Sequence, residues 1–160
     1  MKKNLVIAYG VFCYLVFLAT LLYTIGFLGD FVVPKSINSG TTYSLDFAVL
    51  IDSLLVGLFA LQHSGMARMG FKRWLANLVP RHVERSTYVL LASLTLSFLC
   101  WQWRPIPAVI WHIDMTWVRG LLRGIYGAGW IVVLVSARLI SSGHLFGLKQ
   151  VKQYTKNEEI

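Results

Sequence analysis

A chain of 160 residues, 56% hydrophobic and only 14% charged, with a mean hydropathy of +0.61, carries more apolar surface than a soluble domain of this length can bury. Its net charge of +8 is divided among the flanks of apolar runs rather than gathered on one face. That division argues against a nucleic-acid surface and for membrane topology and anionic lipid headgroups.

The composition predicts an all-α, polytopic integral membrane protein that forms a single membrane domain. Four runs, 5–28, 45–64, 86–103 and 120–140, are long enough to cross about 30 Å of hydrocarbon, which takes about 20 helical residues. The first follows Lys2 and Lys3 and holds no charge. It is far longer than the roughly 7–15 apolar residues of a secretory signal core. Gly26-Phe27-Leu28-Gly29-Asp30 is also a poor cleavage site, so the run reads as a retained anchor. The connector from Asp30 to Ser44 is turn-rich, with Pro34, Gly40 and several hydroxyl residues.

The second run ends in Leu61-Gln62-His63-Ser64, and a polar, basic hairpin, 65–85, follows. Within it Phe71, Trp74, Leu75 and Leu78 fall at i, i+3, i+4 and i+7, with Lys72, Arg73 and Asn77 off that stripe, until Pro80. This spacing predicts a short amphipathic helix lying in the interface, which serves either as a tether or as a lid over a site. The third run ends in Trp101-Gln102-Trp103-Arg104-Pro105-Ile106-Pro107. Its tryptophans, with Trp111 and Trp117, suit an aromatic belt, and its prolines bar a helix. On the fourth run Gly120, Gly124 and Ala128 recur every four residues, a face on which a partner helix can pack closely. A polar tail, 152–160, comes last.

With the N-terminus inside, Lys2, Lys3, Arg68, Lys72, Arg73, Arg81, Arg85, Lys149, Lys152 and Lys156 fall on the cytoplasmic side. Lys35, Arg104, Arg119 and Arg123 fall outside, and Arg138 lies within the last run. The bias places both termini in the cytoplasm. The expected compartment is the inner, cytoplasmic membrane of a bacterium. Cys13 and Cys100 lie at different depths and read as small buried apolar residues rather than a disulfide.

Polar groups inside or beside a membrane are costly to keep and suggest a site. Asp52 lies about 10 Å deep from the outer side, within reach of Arg123 at matching depth, and a structural ion pair is the preferred reading. Asp52 and His63 are three helical turns apart and share a face of the second run, expected to point into the bundle. His63 is the candidate for proton transfer, because imidazole exchanges protons near neutrality. Gln62 and Ser64 flank it, and Glu84 and Arg85 open the third run across the hairpin. These five are read either as one pocket or as interfacial residues bonded to water and headgroups. The histidines show no paired metal-binding spacing. His63 and His144 end runs on the same side, which leaves a bis-histidine haem as a distant alternative.

Several segments resemble the membrane methanethiol S-methyltransferases. They are Leu58-Phe59-Ala60-Leu61-Gln62-His63-Ser64, Phe71-Lys72-Arg73-Trp74, Glu84-Arg85-Ser86-Thr87-Tyr88-Val89-Leu90, Trp101-Gln102-Trp103-Arg104-Pro105 and Leu145-Phe146-Gly147-Leu148-Lys149-Gln150-Val151. That family stands with the broader isoprenylcysteine carboxyl methyltransferase-like and NnrU-like membrane proteins. The resemblance covers nearly all of residues 5–151. It implies transfer of a methyl group from S-adenosylmethionine to a small thiol, giving dimethyl sulfide from methanethiol. His63 is then assigned as the base that favours the thiolate, and Arg85 as a source of positive potential, with Gln62 and Glu84 beside them. Family members continue into further spans that carry an Arg-His-Pro-x-Tyr motif and a late Glu-Arg motif for the cofactor. Nothing in this sequence matches either motif. The chain is therefore expected to be an N-terminal portion, or a truncated copy, without the adenosylmethionine site. The alternative is a non-enzymatic membrane protein, either a remnant or a subunit that packs against a partner.

Overall fold

A computed structural model describes residues 3–68, 70–71, 79–109 and 112–140. The expected amphipathic stripe from Phe71 to Leu78, the Leu145–Val151 segment and the polar tail fall largely or wholly outside them. Among the described residues the regular structure is four long helices: α1 (Lys3–Gly29), α2 (Leu45–Ala67), α3 (Arg81–Gln102) and α4 (Thr116–Ile140). At 1.5 Å per residue each is longer than about 30 Å, the thickness of the hydrocarbon layer. Each forms where an apolar run predicts one. α3 begins just after Pro80, because a proline fits at a helix entrance, and it stops at Gln102, ahead of Pro105 and Pro107.

Three helices, α1, α2 and α4, are apolar enough to cross a membrane by composition. They are apolar on nearly every side. Leu5, Phe12, Leu15 and Leu22 on α1, Leu50, Leu54, Leu58 and Leu61 on α2, and Ile125, Ile131 and Val132 on α4 all stand exposed. Exposed apolar surface on this scale is stable only in lipid, which makes the chain an integral membrane protein. α3 falls short of the other three in composition, since Ser86, Thr87, Ser93, Thr95 and Ser97 interrupt its leucines.

That hydroxyl-rich helix is the centre of the bundle, with α1 and α2 packed on it. The buried positions of α1 are Val6, Gly10, Cys13, Thr20, Thr24, Gly26 and Phe27, which apart from Gly26 keep to a seam of three-, four- and seven-residue steps. Ser86, Val89, Ser93 and Cys100 form the matching seam on α3. Small side chains along both seams let the backbones approach. Cross-links join the two helices at both levels. Tyr9 Oη lies 2.9 Å from Thr87 Oγ1, and Thr20 Oγ1 lies 3.0 Å from Ser97 Oγ. Thr87 gives its own proton to the Val83 carbonyl, so Tyr9 is the donor in the first. Rising numbers pair with rising numbers, so α1 and α3 run parallel. α2 runs against them, because its start meets the end of α3 and its end meets the beginning of α3.

The end of the bundle at Trp103 is tied down by the 30–44 connector. Ile37 donates to the Phe27 carbonyl at 3.0 Å, Tyr23 Oη to the Lys35 carbonyl at 3.0 Å, and Lys35 Nζ to the Trp101 carbonyl. Gly26 permits this fold-back, since a Cβ there would meet the Phe31 carbonyl oxygen at 2.8 Å. Phe27, Leu55, Leu99 and Cys100 form the core beneath, and Trp103 packs edge-on against Phe27. Cys13 and Cys100 are both buried and unpaired.

α4 is different. Among the described residues it is bonded to the rest through Tyr126, whose hydroxyl donates to the Ile25 carbonyl at 2.6 Å and whose ring meets Phe31 edge-on. Gly120, Gly124, Gly127 and Gly129 face open space.

Candidate active site

His63 lies in the last turns of α2 and leans toward α3. There the Tyr88 hydroxyl is 3.1 Å from its Nδ1 and 3.2 Å from its carbonyl oxygen. Phe59, one turn earlier on α2, stacks on the imidazole with ring centroids 5.4 Å apart at 24°. Tyr88 has one proton to give. Donated to the His63 carbonyl, it leaves the phenolic oxygen to accept from Nδ1–H. Nε2 is 3.5 Å from the same oxygen, beyond a good hydrogen bond, and keeps a free lone pair in this arrangement.

The pair lines a cleft of about 230 Å³ whose other walls are Phe17 and Leu21 of α1, Phe59 of α2, Ala92 and Leu96 of α3, and Ala137 of α4. Thr20 and Ser93 also border it, but Thr20 is bonded to Ser97 and Ser93 donates to the Val89 carbonyl at 2.8 Å. A guest therefore meets hydrocarbon on every side except the imidazole and the phenol.

The other residues expected at this site are placed less closely. Gln62 stays on the packing side of α2, where its Nε2 donates to Met66 Sδ at 3.0 Å and its Oε1 is buried without a partner. Glu84 and Arg85 are half-buried in the first turns of α3, one turn before Tyr88. Arg85 is near enough for its charge to act on the Tyr88 hydroxyl. No ion pair or hydrogen bond joins Glu84 or Arg85 to His63 or Gln62. The structure thus brings His63 together with Tyr88 and Phe59, sets Arg85 nearby, and leaves Gln62 in the helix seam. Sequence reasoning quoted Tyr88 within its motif and did not single it out. The signal available was a phenol following Arg85 by three residues, on the face that opens the run.

Among the described residues no three histidine, cysteine, aspartate or glutamate side chains gather as metal ligands. His144, the second histidine of the haem alternative, lies outside the described residues.

Asp52 corrects one expectation. It is 5% exposed and does face the bundle, but it is not paired with Arg123. Its Oδ1 accepts the Arg104 backbone N–H at 2.9 Å, while the Arg104 guanidinium sits 5.0 Å over the Tyr43 ring. Matched depth did not make neighbours, because α2 packs on α3 rather than on α4. Arg123 instead lines, with Asn38, His112 and Arg119, a cavity of about 630 Å³ at the Trp103 end, across the bundle from His63.

Comparison with known proteins agrees with the sequence pattern. The chain is 46% identical to "Methanethiol S-methyltransferase" of Crocosphaera subtropica over 99% of its own length and 62% of the relative's. It is 49% identical to the protein of that name from Mycobacterium tuberculosis, over 94% of this chain and 62% of the other. "Methanethiol S-methyltransferase 1" of Bradyrhizobium diazoefficiens is 47% identical over 98% of this chain and 55% of its own length. No family model matches the chain, and no solved structure matches it. The chain thus spans somewhat more than half the length of these curated relatives. By sequence it is a partial relative of the methanethiol S-methyltransferase family.

Proposed function

We propose that this chain supplies the thiol-holding part of a membrane S-methyltransferase, which moves the methyl group of S-adenosylmethionine onto a small thiol such as methanethiol. The observation that carries this reading is the apolar cleft whose remaining polar groups are His63 and Tyr88, in a chain whose relatives bear that name. A small thiol is an apolar body with one weakly acidic S–H, and the cleft offers it apolar walls and one base. The S–H donates to Nε2, and the proton passes to that nitrogen and leaves the electron pair on sulfur. The Tyr88 oxygen, which accepts from Nδ1–H, steadies the imidazolium that forms. The positive charge of Arg85 favours the anionic thiolate. Holding the thiol in one orientation removes part of the entropy barrier to transfer. Glu84 and Gln62 border this end of the bundle and are assigned no step.

Adenosylmethionine itself does not fit this cleft. A nucleoside joined to an amino acid needs a site of about 300–1,000 Å³ with partners for its charged groups, whereas about 230 Å³ lined by one imidazole and one phenol is present. The cavity of about 630 Å³ is large enough but lies at the other end of the bundle. The charge bias supports a His63 end that faces the cytoplasm beside anionic headgroups, and the bacterial relatives support the inner membrane.

The test uses the chain in lipid nanodiscs, alone and joined to the C-terminal portion of the Mycobacterium tuberculosis relative. The 160 residues alone are expected neither to bind adenosylmethionine nor to release dimethyl sulfide from methanethiol, and the joined protein to do both. In the joined protein His63→Ala should lower turnover by about 10²–10⁴-fold and leave cofactor affinity unchanged, in line with loss of a general base. Tight cofactor binding by the 160 residues, or full turnover by His63→Ala across pH 6–9, overturns the reading.

A second, non-enzymatic reading has one observation in its favour. The Gly120, Gly124 and Ala128 face of α4 is open, and small residues spaced by four receive another helix. We read that face as the seat of a further helix, from the same protein or from a partner. If Gly124→Leu lowers the stability of the joined protein but not that of the 160 residues, the seat lies within the enzyme.

A further inference from the structure

The cleft beside His63 is larger than a one-carbon thiol requires. On a scale where a water takes about 30 Å³, a cleft of about 230 Å³ holds roughly seven water-sized groups. Methanethiol has two heavy atoms and would leave most of that space empty. An unfilled apolar cavity loses dispersion contacts on every wall, so a guest that fills it is held better than one that does not. The remainder of the cleft is apolar apart from the Thr20 and Ser93 hydroxyls, which are engaged with Ser97 and the Val89 carbonyl, and so suits a hydrocarbon tail.

We propose that this cleft is a pocket for alkyl and aryl thiols of about four to six carbons as well as for the smallest, at the scale of one water-sized group per heavy atom. In it the sulfur lies at His63 Nε2 and the tail runs toward Leu96. The proposal rests on the reading that the cleft holds the thiol, and it names the substrate class. Two residues set the limit. Ala92 presents only a methyl group to the cleft from α3, and Phe17 fills it from α1. A larger side chain at 92 shortens the space available to the tail, and a smaller one at 17 lengthens it. Both side chains are hydrocarbon and offer a sulfur no acid, base or charge, so each acts on the tail. A lipid acyl chain is the competing guest. It has no acidic hydrogen for Nε2, and this difference separates the two.

The experiment is a titration of the 160-residue chain in nanodiscs, with histidine labelled with ¹⁵N and the His63 ring signals identified by their loss in His63→Gln. Methanethiol, butanethiol, benzenethiol, decanethiol and pentane are compared at equal mole fraction in the lipid. Butanethiol and benzenethiol are expected to shift the His63 signals at least as readily as methanethiol, decanethiol about tenfold less readily, and pentane not at all. Ala92→Leu should lower the ratio of butanethiol to methanethiol affinity by about tenfold or more, the usual scale of overpacking. Phe17→Ala should raise the relative affinity of decanethiol. Equal shifts with pentane make the cleft a lipid groove and overturn the proposal. So does a butanethiol-to-methanethiol ratio that Ala92→Leu leaves unchanged, and so does binding of methanethiol alone. These outcomes are separable from the fate of the proposed activity. Methyl transfer confined to methanethiol sinks the size inference alone, whereas ordered binding of longer thiols in a protein that never transfers methyl sinks the activity alone.

Discussion

The imidazole of His63 and the amide of Gln62 are adjacent in the chain and meet different surroundings. A helix turns each residue about 100° from the last, so His63 reaches Tyr88 while Gln62 faces Met66 with an unpartnered Oε1. A buried acceptor without a donor costs about 1–3 kcal/mol. Gln62→Met should therefore leave stability unchanged or raise it, read as the midpoint of thermal unfolding in detergent. A marked fall would show that the amide is hydrogen-bonded after all. Both residue types were legible in the sequence as polar groups at a span end. Tyr88 was not, since its partnership with His63 crosses 25 residues and depends on the register of α2 against α3. Asp30, outside the spans, carries a pH effect. Hydrogen bonds from Ser36 first and Asn38 second hold its carboxyl below the usual carboxylate range. A depressed acid contributes stability above its unfolded value of about 3.9 and loses it as pH falls through the lower folded value. Proteolysis within 30–38 should therefore accelerate below about pH 4, and Asp30→Asn should abolish that acid limb while it weakens the loop at neutral pH. An unchanged acid limb in the variant would rule Asp30 out as its source.

At the scale of the helix, α3 inverts the usual ranking of apolarity and importance. Apolar runs gave the positions of all four helices, but the run richest in hydroxyls is the one on which both α1 and α2 pack. Hydropathy measures affinity for lipid. A helix shielded by its neighbours needs little of it, and spends its surface on close approach and interhelical hydrogen bonds. The same blindness produced the expected Asp52–Arg123 pair, because depth along the membrane is legible in a sequence and adjacency around the bundle is not. The Thr20–Ser97 contact tests the view of the seam. A double-mutant cycle with Thr20→Val and Ser97→Ala should give a coupling of about 0.6 kcal/mol, and no more than about 1.7, the range for such bonds in membrane bundles. Additive effects would show that the two hydroxyls do not stabilise one another.

At the scale of the whole molecule, the orientation in the membrane rests on charge. If the four runs alternate across the membrane, ten lysines and arginines are expected on the side of the 65–85 hairpin and four on the other, which predicts a cytoplasmic hairpin. With Cys13 and Cys100 replaced by serine, Asn77→Cys in intact cells should resist a membrane-impermeant thiol reagent and label readily once the cells are opened. Ready labelling of intact cells would invert the topology and move the His63 end to the outside.

The bundle is fastened unevenly. At the Trp103 end the connector, the Lys35 ammonium and the Asp52 carboxylate bind all three packed helices to one another. At the His63 end, among the described residues, the hydrogen bonds between the α2 and α3 helices come from the Tyr88 phenol. On the proposed reading, the Tyr88 contact that holds α2 to α3 is also the one that fixes the His63 tautomer, so whatever separates the two helices at that end also takes the base apart.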